Sequence, residues 1–132
     1  MTINDIETYC LTKHGAYLDW PFGPEFAVAK VKATTQEKGR IFAQPFIHRG
    51  EPKVTLNCDM MTGEFYRSIY PGSVTRGWHC PPIQQPYFNA IILDGTVPDD
   101  VLIDMIDHAY SVVVGRLPKK HREELEDAAN ET

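Results

Sequence analysis

Residues 26–58, FAVAKVKATTQEKGRIFAQPFIHRGEPKVTLNC, carry the pattern that decides the fold. Three stretches within them, 26–32, 40–47 and 53–58, are rich in apolar and β-branched residues, which favour extended backbone. Two polar turns, ATTQEKG and HRGEP, separate these stretches. Because consecutive strands joined by short links pair antiparallel, the sequence predicts a three-stranded antiparallel meander.

The last of the three strands indicates which face of the sheet is buried. Apolar and polar residues alternate strictly along it, and side chains of a strand point alternately to its two faces. The inward set is predicted to be Val54, Leu56 and Cys58, and the outward set Lys53, Thr55 and Asn57. We therefore expect the second face of the sheet to be partly exposed.

Helical patterns lie before and after the meander. Thr2 and Asp59 are good N-cap residues, and they predict one helix over residues 3–13 and another of about ten residues after Asp59. The apolar run at 88–93 predicts a buried strand. The clearest helical periodicity begins at Pro98 and continues through about four turns.

The predicted order is helix, three strands, helix, strand, helix. Helices with one apolar face bury it against a sheet, so this order predicts an α+β fold. We expect a two-layer sandwich, an antiparallel sheet covered on one face by helices. The length of 132 residues fits a single domain, which we assign to residues 1–118. Residues 119–132 are expected to form a charged C-terminal tail, either as one more helical stretch or as frayed chain.

The charges of the chain are arranged in blocks. Thirteen basic and eighteen acidic side chains give a net charge of −5, which argues against a uniformly basic nucleic-acid-binding protein. Residues 30–53 nevertheless carry +4, residues 94–115 carry −5 and residues 116–122 carry +4. This pattern allows one basic face on an acidic protein. The alternative is that Lys and Arg only decorate solvent-exposed hairpins.

Several functional classes lack their sequence signatures. The three cysteines form no C-x-x-C pair, which is typical of reduced thiols in a cytosolic protein. No G-x-S-x-G, P-loop, dinucleotide or zinc-ligand pattern occurs. We therefore expect no catalytic residue, metal or cofactor. No apolar run approaches the ~20 residues of a membrane span, and the acidic N-terminus does not match a signal peptide, so we expect a cytoplasmic protein that does not contact the membrane.

The chain resembles the MmcQ/YjbR family of small bacterial proteins along nearly its whole length. The matching stretches are TYCLTKHGAYLDWPFG at 8–23, FAVAKVKA at 26–33, GRIFA at 39–43, PKVTLNCD at 52–59, YPG at 70–72, GWH at 77–79 and FNAIILDGTVPDDVLIDMIDHAYSVVVGRLPKK at 88–120. After His79 the chain departs from the family, because the basic residues usual in that loop are missing.

The resemblance implies a fold similar to that of CyaY, the bacterial frataxin, and a "double wing" of two β-hairpins proposed to grip DNA. In this chain the wings are the turns at 32–40 and 48–53. Their phosphate-binding residues are expected to be Lys30, Lys32, Lys38, Arg40, Arg49 and Lys53. The implied function is a DNA-binding protein without enzymatic activity.

A binding module for a small ligand or a protein, without nucleic acid, is the second hypothesis. Its residues are aromatic side chains expected to converge on an apolar cleft beside the sheet: Trp20, Phe22, Trp78 and His79. Exposure separates the two hypotheses. Basic wings on the same face as exposed aromatic side chains favour nucleic acid, whereas an enclosed aromatic cleft away from the wings favours a ligand.

Overall fold

A computed structural model describes residues 1–77 and 79–130 of the chain. Its strands are β1 (Ala16–Asp19), β2 (Val28–Val31), β3 (Arg40–His48), β4 (Glu51–Asn57), β5 (Val74–Arg76) and β6 (Phe88–Ile92). Its helices are α1 (Ile3–Cys10), α2 (Met60–Ile69), α3 (Asp99–Gly115) and α4 (Lys119–Asn130), with a 3-10 turn at Gln85–Tyr87. Within the described ranges, no helix is both long and apolar enough to cross a membrane.

The strands form one antiparallel sheet in the order β1-β2-β3-β4-β6-β5. The predicted meander is confirmed as β2, β3 and β4, and the predicted fourth strand is β6. The edge strands β1 and β5 were not predicted as strands. They have only four and three residues, too few for alternation to stand out from the sequence.

The helices cover one face of this sheet, so the predicted α+β class is confirmed. Thr2 and Asp5 form a capping box at the start of α1, and the Asp59 carboxylate accepts a hydrogen bond from the Thr62 N–H at 2.7 Å at the start of α2. Helix α1 ends at Cys10, earlier than predicted. Helix α3 packs on β3 and β4, where Tyr110 meets the buried ring of Phe42 edge to face.

The second face of the sheet is less open than the alternation in β4 predicted. Val54, Leu56 and Cys58 are buried as expected, but Thr55 is only 5% exposed, so its predicted exposure is wrong. Thr55 lies beside Gln44 on β3 and Ala90 on β6, in the middle of six strands, where neighbours on both sides shield it.

Residues 119–130, from the segment expected to be a charged tail, form helix α4. Its Leu125 belongs to the hydrophobic core. The Glu124 carboxylate accepts hydrogen bonds from the backbone N–H of Thr34 and the hydroxyl of Thr35. Helix α4 is therefore anchored both to the core and to the loop between β2 and β3.

Candidate anion-binding cleft

The two predicted wings lie at opposite ends of β3. The loop from β2 enters this strand at Arg40, and the turn to β4 leaves it at His48. A strand of nine residues rises ~26 Å between its first and last residue, at ~3.3 Å per residue. The six predicted cations are therefore divided between two ends of the sheet.

Two cations of the first wing are engaged by neighbours on β1. The Lys30 ammonium lies 2.7 Å from the Asp19 carboxylate, and this hydrogen bond holds the pKa of Asp19 below its usual value. The Lys32 ammonium lies over the ring of Tyr17, 5.4 Å from its centroid. Much of the charge of Lys30 is thus compensated within the protein.

Arg40, at the start of β3, lines a cleft together with Arg116, the C-cap residue of α3. Asn57, the last residue of β4, is the third polar residue in this cleft. These residues meet because α3 packs across β3 and β4. The cleft has a volume of about 310 Å³, and we call it the arginine cleft. Its complete lining is Arg40, Ile41, Asn57, Val113, Arg116 and Leu117.

The electrostatics of the arginine cleft favour an anion. Both guanidinium groups are exposed, and no carboxylate in the described part of the chain forms an ion pair with either. Lys38 precedes Arg40 by two residues, and Lys119 and Lys120 follow Arg116 in the first turn of α4. Of these lysines, Lys119 has an exposed partner, Glu123, at 3.7 Å.

The second wing presents a different surface. Arg49 and Gly50 form a two-residue turn in which both residues have positive φ, 52° and 79°. Arg49 is exposed at the tip of this turn, two positions before the exposed Glu51. Lys53 is half-buried on β4, between Phe46 on β3 and Ile92 on β6. The structure therefore does not bring Arg49 and Lys53 to the arginine cleft.

In the described part of the chain, the aromatic residues that were predicted to bind a ligand lie outside the arginine cleft. Phe22 is 70% exposed and lines a second cleft, of about 290 Å³, formed by residues 22–26, Val28 and residues 44–46. The His79 ring packs edge to face on Phe46 at 6.1 Å between centroids, and burial lowers its pKa. Trp20 is 51% exposed but does not line this cleft. The prediction for Trp78 lies outside the described residues.

The cysteines are not activated as nucleophiles. Burial raises the pKa of Cys10 to about 12 and that of Cys58 to about 11. Burial also raises the pKa of Cys80, the cysteine in the loop beside His79. Because the thiolate is the reactive form of a cysteine, these raised pKa values disfavour all three cysteines as nucleophiles.

The sequence predicted Arg40 as a phosphate-binding residue but did not predict Arg116 as one. Its only signal was the block of +4 over residues 116–122, which was assigned in part to a tail. Arg116 and Arg40 line one cleft because α3 packs on β3, although these elements are far apart in the chain. Charge patterning therefore indicated a basic segment but not its partner.

The YjbR family model matches residues 11–112. The chain is 29% identical to the uncharacterized protein YbdF of Escherichia coli O157:H7 over 108 residues, 82% of this chain and 80% of YbdF. It is 26% identical to the uncharacterized protein YjbR of Escherichia coli K12 over 130 residues, 95% of this chain and 98% of that protein.

Two crystal structures show the same fold. The Deinococcus radiodurans protein DR2400 superimposes with a TM-score of 0.81 and 28% identity, covering 95% of this chain and 88% of that one. A Pseudomonas syringae protein superimposes with a TM-score of 0.64 and 14% identity, covering 86% and 99%. Sequence and fold agree along most of the chain, and the protein belongs to the YjbR family.

Proposed function

We propose that this protein binds DNA without catalysing a reaction, by seating backbone phosphates in the arginine cleft. The observation that carries the proposal is the placement of Arg40 and Arg116. They come from different elements, line one cleft and have no carboxylate partner in the described part of the chain. Two uncompensated guanidinium groups that share a cleft repel each other, and an anion between them removes that cost.

The chemistry of the cleft suits a phosphate. Guanidinium groups donate pairs of hydrogen bonds through their N–H groups, in a geometry that matches phosphate oxygens. The side-chain amide of Asn57 adds a further hydrogen-bond donor. The whole chain has a net charge of −5, so the protein outside the cleft is acidic. This acidic remainder repels DNA and restricts phosphate contacts to the basic end of the sheet.

The absence of catalysis is part of the proposal. Burial raises the pKa values of Cys10, Cys58 and Cys80, which disfavours a thiolate nucleophile at these positions. Guanidinium groups bind anions through charge and paired hydrogen bonds and are poor general acids and bases. The site binds charge rather than performing acid–base chemistry.

Fluorescence anisotropy with a labelled oligonucleotide, titrated in salt, tests the proposal. We expect a Kd below about 10 µM at about 50 mM salt, since even non-specific binders reach 10⁻⁴–10⁻⁶ M at physiological salt. The double variant Arg40→Gln with Arg116→Gln should reduce the slope of log K against log salt by about 1.4 for a single strand. Arg49→Asn, at the other end of β3, is the matched control and should leave the slope unchanged. Absence of binding, or an equal effect of the control, contradicts the proposal.

A second candidate function rests on the cleft formed by residues 22–26, Val28 and residues 44–46, which we call the aromatic cleft. Phe22 is 70% exposed beside a cleft of about 290 Å³, an arrangement that favours an apolar small molecule or a protein side chain. A thermal-shift screen of aromatic compounds tests it. A hit whose stabilisation disappears in Phe22→Ala and persists in Arg40→Gln supports this candidate, and a screen without such a hit removes it.

A further inference from the structure

Tyr87 is an aromatic ring fixed beside the arginine cleft. It ends the 3-10 turn before β6 and is 36% exposed. Its carbonyl accepts a hydrogen bond from the N–H of Cys58 at 2.9 Å. Cys58 directly follows Asn57, one of the residues that line the cleft. This hydrogen bond places the backbone of Tyr87 close to that of Asn57, at the edge of the phosphate-binding surface proposed above.

Arg116 connects the ring and the cleft. The central carbon of its guanidinium lies 6.0 Å from the centroid of the Tyr87 ring, within the range of a cation–π contact. The same side chain lines the arginine cleft together with Arg40. The planar guanidinium of Arg116 therefore borders both the arginine cleft and the exposed ring of Tyr87.

An anion site beside an aromatic surface matches the two parts of one nucleotide, because the phosphate binds the cations and the base stacks on the ring. Nucleobases that have left a helical stack bind to aromatic rings and to guanidinium planes, while the phosphates of the same strand bind cations. In a duplex the bases are paired and stacked inside the helix, so only the phosphates are available. A site that uses both groups selects an unpaired strand.

We propose that the ligand of the arginine cleft is single-stranded DNA, with a phosphate between Arg40 and Arg116 and an adjacent base stacked on the Tyr87–Arg116 pair. This inference rests on the proposed function. Because every base presents a flat aromatic face, this contact gives little sequence preference. The site binds unpaired strands by their shape and charge.

Three fluorescent probes test the inference: an oligothymidine of about 12 nucleotides, comparable to the site sizes of single-strand-binding domains, an abasic strand of equal length, and a duplex. The variants are Tyr87→Ala, which removes the ring, Tyr87→Phe, which keeps it, and Arg40→Gln with Arg116→Gln. We expect oligothymidine to bind at least about 5-fold more tightly than the abasic strand, the lower limit of stacking one base. Oligothymidine should also bind more tightly than the duplex.

Tyr87→Ala should lower the affinity for oligothymidine to that of the abasic strand and leave abasic binding unchanged, which also shows that the variant is folded. Tyr87→Phe should bind both strands as the parent does. An equal loss for both strands in Tyr87→Ala, or no loss, overturns the stacking inference and leaves the proposed function standing. If no probe binds, or if the double arginine variant binds them all normally, both proposals fail.

Discussion

The two ends of β3 both carry cations but arrange them differently. At the Arg40 end, side chains from β3, β4 and α3 meet, and two arginines share a cleft without a carboxylate partner in the described part of the chain. At the Arg49 end, a tight turn presents one exposed arginine, two positions before the exposed Glu51. The comparison teaches that charge in a hairpin becomes a candidate site only where a second element brings a partner.

Charge reversal gives the largest expected difference between the two ends. Arg40→Glu combined with Arg116→Glu should weaken oligonucleotide binding by about 100-fold at low salt, because two attractive contacts become repulsive. Arg49→Glu changes the net charge by two units far from the cleft and should weaken binding by less than about 3-fold, mainly through net charge. Anisotropy titrations of the two variants measure this ratio, and equal losses would remove the distinction between the ends.

Ion pairing sharpens the comparison within the first wing. Lys38 is exposed, whereas Lys30 is paired with Asp19 at 2.7 Å. Lys38→Ala should therefore weaken binding about 3-fold, and Lys30→Ala less than about 1.5-fold, since a compensated cation releases fewer counterions from DNA. The same titration measures both variants. A larger effect of Lys30→Ala would show that its pairing with Asp19 does not limit contact with phosphate.

A substitution in the Arg49–Gly50 turn between β3 and β4 gives the smallest expected effect, and it changes stability rather than binding. Arg49 has φ 52°, a conformation that costs most side chains free energy and that Asn tolerates better. Arg49→Asn should raise the free energy of unfolding by about 0.5 kcal/mol, measured by urea denaturation. Arg40→Asn, in extended backbone, is the control and should not stabilise the protein. A loss of stability in Arg49→Asn would show that the Arg49 side chain stabilises the turn.

Local pattern predicted most of the fold and only part of the site. Alternation in β4 correctly assigned Val54 and Leu56 to the core, because side chains of a strand point to its two faces in turn. It failed at Thr55, whose burial depends on its position in the middle of a six-stranded sheet. Alternation describes the direction of a side chain but not what surrounds it.

The candidate site was harder to predict for the same reason. Arg40 was identified from its place in a basic hairpin, but its partner Arg116 lies 76 positions further along the chain, beyond the end of α3. The lysines assigned to the same hairpin look equivalent in the sequence. Only the pairing of β1 with β2 shows that Lys30 meets Asp19, since β1 itself was too short to be recognised as a strand.

The central claim is that DNA binds at the Arg40 end of β3. An NMR titration of the ¹⁵N-labelled protein with an unlabelled oligonucleotide tests it most directly, because backbone amide shifts locate the contact on the fold. We expect the largest shifts at Arg40, Asn57 and Arg116, with the amide of Gly50 unchanged. Shifts concentrated at residues 48–51, or along the aromatic cleft at residues 22–26, would contradict the account.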